Sequence, residues 1–379
     1  MKLIVDENIV QGKQAFESFG NVQFINGREI TNKILMDADA LIVRSITKVD
    51  KTLLHNTKIK FVGTATIGTD HIDLKYLNEN GIAFTSAAGC NSYSVAEYVF
   101  SALSHFAEKN NFKISEKSIG VIGYGNIGTK VIKIAKALGM KYVINDPPLE
   151  RKGKENIFSS LEKALQCDIV TFHVPLNKTG IDKTVHLLGK NNIALLKNNA
   201  ILINASRGPV VDNSVLEKRL QQNNNLNVVL DVWETEPNIN TELFKLIDIG
   251  TPHIAGYSFE GKVTGTLMVY EALSEFLNTP KKWKPEFEVV PNNKIIIEEK
   301  DDYNIILKKL FEKSYKIIED DKKLREIINK KDAEKDKYFD MLRKNYPKRR
   351  ELNNFEAKLK KENEKTENLL KALRVKINK

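Results

Sequence analysis

Ile119-Gly120-Val121-Ile122-Gly123-Tyr124-Gly125-Asn126-Ile127-Gly128 joins a short β-branched run to three glycines spaced G-x-G-x-x-G. The apolar run reads as a buried strand, and Asn126–Leu138 reads as an amphipathic helix opening at the third glycine. Gly123 permits a tight turn, Gly125 lets backbone approach a pyrophosphate, and Gly128 lets helix and strand pack closely. Free N–H groups at the positive end of that helix then suit a phosphate. The next strand closes on Ile144-Asn145-Asp146, about 18 residues beyond Gly128. An acid there accepts hydrogen bonds from ribose hydroxyls and repels a 2′-phosphate, which favours NAD over NADP. Strand, glycines, helix, second strand and acid agree with one another.

Outward from this unit the chain repeats the same alternation. Strands are expected at Tyr142–Ile144, Ile169–Phe172, Ile201–Ile203 and Val228–Leu230, with helices at Ser160–Leu165, Asn192–Leu196 and Val215–Gln221. Upstream, Leu3–Val5, Leu41–Val43, Phe61–Val62 and Ile82–Phe84 are short runs of buried-strand type. Strands alternating with helices imply parallel sheets with right-handed crossovers. Long helices are expected from Ser92–Ser94 to about Ala107 and over Glu260–Leu277. The segment Lys281–Asn293 follows Pro280, holds further prolines and reads as a linker. Beyond it, Ile305, Ile306 and Leu310, and again Leu369, Leu370 and Leu373, recur at helical spacing.

Composition is that of an ordinary folded chain, with 28% charged and 41% hydrophobic residues. The N-terminal Met-Lys-Leu-Ile-Val-Asp reads as a first strand rather than a signal peptide. No apolar run approaches the roughly 18 residues that span a bilayer. Cys90 and Cys167 stand far apart, which supports neither a disulfide framework nor a cysteine-based zinc site and fits a reducing cytoplasm. No metal is expected. The net charge of +10 lies mostly beyond residue 291, where about 26 Lys/Arg face about 18 Asp/Glu. Interleaved signs read as solvated helix faces rather than a nucleic-acid surface.

Three segments follow strands of the second series: Asn204-Ala205-Ser206-Arg207-Gly208, Asp231-Val232-Trp233-Glu234-Thr235-Glu236-Pro237 and Thr251-Pro252-His253-Ile254-Ala255-Gly256-Tyr257. They offer an arginine, an acid and a histidine. Oxidising a 2-hydroxy acid moves a hydride to a nicotinamide while the hydroxyl loses a proton. Histidine titrates in the right range to take that proton. A carboxylate beside the imidazole fixes its tautomer. An arginine fork holds a substrate carboxylate. Asp231, at a strand end, reads equally as a nicotinamide-facing group and as a structural cap. His71 reads as structural, and His173 as lining the crevice rather than as the base.

Gly123–Gly128, His173–Leu176, Asn204–Gly208, Asp231–Pro237 and Thr251–Gly256 together resemble the D-2-hydroxyacid dehydrogenase superfamily. Val5–Asn8, Val43–Lys48, Phe61–Thr66, Gly68–His71, Ala88–Asn91, His253–Tyr257 and Leu342–Glu351 narrow the likeness to a branch acting on a phosphorylated four-carbon 2-hydroxy acid. The resemblance implies Arg207, Glu236 and His253 as catalytic, with His253 the proton donor and acceptor. It implies Gly123, Gly125, Asn126, Ile127, Gly128, Asp146, Ser206, Asp231 and Gly256 as the NAD-binding set, and Ser45, Thr66 and Tyr257 as substrate contacts. The expected architecture is α/β. A Rossmann-type NAD-binding domain (94–253) is inserted in a flavodoxin-like substrate domain (1–93 and 254–290), and a small C-terminal α+β domain (291–379) forms a homodimer. Arg44 and Lys48 around Ser45, and a tail arginine such as Arg349 or Arg350, are the expected partners of the substrate phosphate; Arg343 and Lys344 belong to the same basic cluster. Related enzymes such as 3-phosphoglycerate dehydrogenase or glyoxylate reductase, and a non-catalytic NAD-sensing protein, are the alternatives.

Overall fold

The computed structural model describes residues 1–153, 157–223 and 225–378. They fall into two compact units, Met1–Asn91 with Ser258–Val289, and Ser92–Tyr257 with Val290 onward.

The first unit holds a five-stranded parallel sheet: β1 (Lys2–Asp6), β2 (Asn21–Ile25), β3 (Ala40–Val43), β4 (Phe61–Thr64) and β5 (Ala83–Ser86), in the order β2-β1-β3-β4-β5. That order is the flavodoxin-like one, with its reversal between β1 and β3. β1, β3 and β4 are buried almost throughout, as sheets covered on both faces require. One face packs Leu3, Val5, Ala40, Ile42 and Phe61 against Val269, Tyr270 and Leu273 of the Phe259–Phe276 helix. Each fully buried aliphatic side chain of this kind contributes about 1.5–3 kcal/mol. β2 is half exposed along its length, so its sequence, Asn-Val-Gln-Phe-Ile, shows no apolar run.

The second unit is built on a six-stranded parallel sheet: β6 (Ser118–Ile122), β7 (Lys141–Asn145), β8 (Ile169–Phe172), β9 (Ile201–Asn204), β10 (Asn227–Leu230) and β11 (Ile249–Gly250). Its order is β11-β10-β9-β8-β6-β7. Strand order therefore reverses between β6 and β8, the place where doubly wound sheets open a ligand crevice at strand C-termini. The Ser92–Lys109 and Asn126–Ala137 helices cover one face. The expected helix over Asn192–Leu196 is a single 3-10 turn, Ile193–Leu195, closed by Leu195 N–H on the Asn192 carbonyl at 3.0 Å and Leu196 N–H on the Ile193 carbonyl at 3.3 Å.

The same unit carries a three-stranded parallel sheet, β12 (Lys294–Ile297), β13 (Glu356–Leu359) and β14 (Lys376–Asn378) in that order, with helices between. This is the small C-terminal α+β part. Its apolar side chains Ile295, Ile297, Ile306, Leu310 and Leu369 join one core with Val99, Phe106 and Val131 of the nucleotide-binding part. Polar ties reinforce it. Leu352 N–H donates to the buried Glu97 carboxylate at 3.0 Å, and Arg349 donates to the Ala255 and Ser94 carbonyls at 3.1 and 2.8 Å. Among the described residues no helix is long and apolar enough to cross a membrane.

Candidate active site

Gly123 follows β6 with φ +95°, a conformation that favours glycine, and a side chain there would meet the His173 carbonyl oxygen at 2.4 Å. At Gly125 the space is open. The Asn126–Ala137 helix starts with no side-chain cap on its N-terminal N–H groups. Open space above exposed amides at a helix N-terminus is what a pyrophosphate needs, so the loop fits NAD. Asp146 ends β7, is half-buried, and turns each carboxylate oxygen onto a backbone N–H, Tyr124 at 2.8 Å and Leu149 at 3.0 Å. A carboxylate oxygen accepts more than one hydrogen bond, so capacity for ribose hydroxyls remains.

Beyond β10 and β11 the Glu236 carboxylate and the His253 imidazole meet. Glu236 Oε1 accepts from Trp233 N–H at 2.7 Å, and Oε2 lies 2.7 Å from His253 Nδ1. Trp233 is rigid: it is buried, its indole N–H donates to the Thr251 carbonyl at 3.0 Å, and its ring meets Phe244 edge-on. With Nδ1 held by the carboxylate, Nε2 is the ring nitrogen that this contact leaves for proton exchange. His253 sits at φ +56°, unusual for a side-chain-bearing residue. Asp231 enforces that turn. Its Oδ1 accepts from Thr251 Oγ1 at 2.6 Å and from Ile254 N–H at 2.7 Å, its Oδ2 from Ala255 N–H at 3.0 Å, and its carbonyl from His253 N–H at 2.7 Å. Burial raises the Asp231 carboxyl in spite of these donors and the nearby imidazole.

Arg207 follows β9 and is half-buried, with one guanidinium N–H on the Ser206 carbonyl at 2.8 Å. Its neighbour Gly208 lies so tightly against Trp233 that a side chain would fall 1.9 Å from the Trp233 carbonyl oxygen. That contact brings the arginine loop to the Trp233–Glu236 loop. The Ser206 hydroxyl is buried and donates to Asn204 at 2.8 Å. Gly256 and Tyr257 continue the His253 loop, half-buried.

Burial works to raise the Glu236 carboxyl. The charge and hydrogen bond of His253, the Trp233 N–H and the charge of Arg343 outweigh it, and the group lies below the ordinary carboxylate range. A depressed carboxyl contributes stability above its unfolded-state value of about 4.3, and that stability is lost as pH falls through the folded-state value. In urea unfolding, the stability difference between wild type and Glu236→Gln is expected to be constant from about pH 7 to 5.5 and to shrink below about pH 4. A difference that instead vanishes near pH 6 would show that the Glu236 carboxyl is raised and not depressed.

In the first unit, Ser45 is exposed in the loop after β3, and Thr66 shares a 2.8 Å hydroxyl contact with Thr64, which in turn lies 3.1 Å from His71. Arg44 is tethered to the buried Asp6 at 3.2 Å, and Lys48 pairs with Asp50 on the surface. Lys262, which no local sequence signal marks, is held below its ordinary value by burial and by the charge of Arg44. His173 is buried, with Nε2 3.0 Å from Thr171; burial holds it down to about 3, so its ring is neutral.

The tail arginines divide. Arg349, expected at the phosphate, is instead buried with its terminal nitrogens on carbonyl oxygens, and Arg350 donates to Asn354 at 3.0 Å. The Arg349 guanidinium holds the fold together because it lies in the shared core, 3.7 Å from the Tyr315 ring centroid. Arg349 meets the His253 loop only at the Ala255 carbonyl, whereas Arg343 donates to the Tyr257 hydroxyl at 3.2 Å. Among the described residues, His186, Asp212 and Glu234 also converge. Both acids there are already engaged with the first turn of the Asn213–Gln222 helix.

A doubly wound sheet, a glycine cradle and a His–Glu pair at strand ends define the class, an NAD-binding dehydrogenase of the 2-hydroxyacid type. Residues 96–255 match the family model described as D-isomer specific 2-hydroxyacid dehydrogenase, NAD binding domain, and residues 287–373 match a domain of unknown function. The chain is 45% identical over 359 residues, 93% of either chain, to erythronate-4-phosphate dehydrogenase of Photorhabdus laumondii, and to the same extent to that of Yersinia pestis. The chain belongs to the erythronate-4-phosphate dehydrogenase family. Among solved structures it is similar to NAD⁺-bound 3-phosphoglycerate dehydrogenase of Entamoeba histolytica, with TM-score 0.63 and 25% identity, covering 76% of this chain and 99% of that one. D-lactate dehydrogenase of Aquifex aeolicus shares the fold, with TM-score 0.58 and 24% identity over 73% of this chain and 96% of the other.

Proposed function

We propose that the chain oxidises 4-phospho-D-erythronate at C2 to (R)-3-hydroxy-2-oxo-4-phosphooxybutanoate, a step in pyridoxal 5′-phosphate (vitamin B6) biosynthesis. The observation that carries this reading is the His253–Glu236 pair, 2.7 Å apart, in a chain 45% identical along 93% of its length to erythronate-4-phosphate dehydrogenases. NAD, when bound, supplies the hydride acceptor for the C2 hydrogen. His253 Nε2 takes the C2 hydroxyl proton, and the two electrons of the broken O–H bond become the second bond of the new carbonyl. Glu236 steadies the imidazolium, and Arg207 holds the substrate carboxylate. Gly123, Gly125, Asn126, Ile127, Gly128, Asp146, Ser206, Asp231 and Gly256 form the NAD-binding set, and Ser45, Thr66 and Tyr257 contact substrate. In this reading the active form is a cytoplasmic homodimer joined through residues 291–379, a third domain beside the NAD-binding domain (94–253) and the substrate domain (1–93 and 254–290).

A panel of 2-hydroxy acids with NAD tests the substrate. NADH formation from 4-phosphoerythronate is expected to exceed that from 3-phosphoglycerate, glycerate, lactate and glycolate by at least about 100-fold in kcat/KM, the scale on which a site built for particular polar groups rejects analogues lacking them. Absence of turnover in both directions would overturn the assignment.

A further inference from the structure

Arg343 closes the Asp332–Lys344 helix of the C-terminal segment. Its Nη2 donates to the Tyr257 hydroxyl at 3.2 Å, and its guanidinium carbon lies 5.8 Å from the Tyr257 ring centroid. Tyr257 stands four residues after His253 on the loop that Asp231 fixes, and its ring meets Tyr346 edge-on at 5.9 Å. Tyr346 is in turn anchored by its hydroxyl on Asp320 at 2.6 Å. Arg343 is thus placed from two sides, within electrostatic reach of Glu236.

The guanidinium itself is under-satisfied. Nε is shielded from solvent and has no partner among the described residues. Arg349 and Arg374 also leave Nε unpaired, but their terminal nitrogens are matched by carbonyls or by the Glu351 carboxylate. The partner of Arg343 is a neutral phenol. A half-buried guanidinium bonded only to a phenol hydroxyl keeps terminal donors for an incoming acceptor, and a phosphate presents acceptor oxygens at the spacing of its fork.

We infer that Arg343 binds the phosphate group of the substrate, with Tyr257 holding the guanidinium in place, so that the C-terminal segment selects phosphorylated over unphosphorylated substrates. This rests on the proposed activity. Within the basic cluster of the tail, Arg343 and not Arg349 or Arg350 carries out the recognition.

The test compares wild type, Arg343→Gln and Arg343→Lys on 4-phosphoerythronate and D-erythronate. Arg343→Gln is expected to reduce the preference for the phosphorylated acid, measured as the ratio of the two kcat/KM values, by about 10- to 100-fold, chiefly through KM. Arg343→Lys restores part of that ratio, since charge survives without the fork. An equal loss on both acids, or no loss, overturns the inference; the first outcome would make Arg343 a positioning residue for Tyr257 alone. Calorimetric titration of NAD-loaded protein with inorganic phosphate separates this result from failure of the activity itself. Phosphate binding weaker in Arg343→Gln than in wild type supports the site even if 4-phosphoerythronate is not turned over. Binding equal in the two overturns it. NADH fluorescence reports whether each variant is folded, and Arg343→Lys decides if Arg343→Gln is not.

Discussion

His253→Asn is expected to lower kcat for 4-phosphoerythronate oxidation by about 10²- to 10⁴-fold, the usual contribution of a positioned general base, while NADH binding stays within a few-fold of wild type. Asparagine is the informative replacement. His253 occupies left-handed backbone at φ +56°, which asparagine adopts readily and alanine does not. Its amide can still meet Glu236, but it cannot take a proton at neutral pH. The loss then measures proton transfer rather than a disturbed loop. The glycine cradle after β6 lies in a different segment and is untouched by the substitution, so NADH affinity serves as the control. A variant keeping more than about a tenth of wild-type kcat would remove His253 from the chemistry, because a general base contributes at least 10²-fold. Glu236 would then be left as an acid holding a spectator.

Much of this was legible in the amino-acid order, because strand termini in an α/β sheet all face one way. Once β9 and β10 were read from Ile201–Ile203 and Val228–Leu230, the loops carrying Arg207 and Glu236 had to share an edge. The distance between Glu236 and His253 was not legible; it depends on Trp233 and on the Asp231 contacts, which no spacing encodes. The strands that escaped reading share a physical reason. β2 is half exposed, and β11 is two residues long. β12 exposes Lys294 and Ile296 on either side of buried Ile295, and β13 and β14 set lysine, glutamate or asparagine beside single apolar residues. An apolar run is a signal only where both faces are covered. The pairing of Tyr257 with Arg343 spans 86 positions, so no periodicity can announce it. Arg349 and Arg343 look alike in a basic tail, and only burial separates the one that bridges backbone carbonyls from the one that meets the Tyr257 hydroxyl.

Asp231→Ala is expected to destabilise the protein by several kcal/mol and to slow catalysis at the same time. Three donors lose their acceptor: the Thr251 hydroxyl, Ile254 N–H and Ala255 N–H. All three residues are buried, so water does not readily replace the carboxylate. An unmet buried donor costs about 1–3 kcal/mol, which for the three lowers Tm by on the order of 10 °C in a chain of this size. The same contacts hold the left-handed turn at His253, and a displacement of about 1 Å in a reacting group costs roughly 100-fold in rate. Thermal unfolding and kcat should therefore fall together, and since Asp231 belongs to the proposed NAD-binding set the KM for NAD is expected to rise with them. A carboxylate that served only by touching the cofactor, with no part in holding the turn, would give another pattern: weakened NAD binding in a protein whose Tm is unchanged. Asp231→Asn sharpens the distinction. It keeps an acceptor for Ile254 N–H and places an amide donor against Ala255 N–H, so a positioning role predicts a Tm between those of wild type and alanine. A contact made only through charge predicts that asparagine and alanine lose NAD affinity equally.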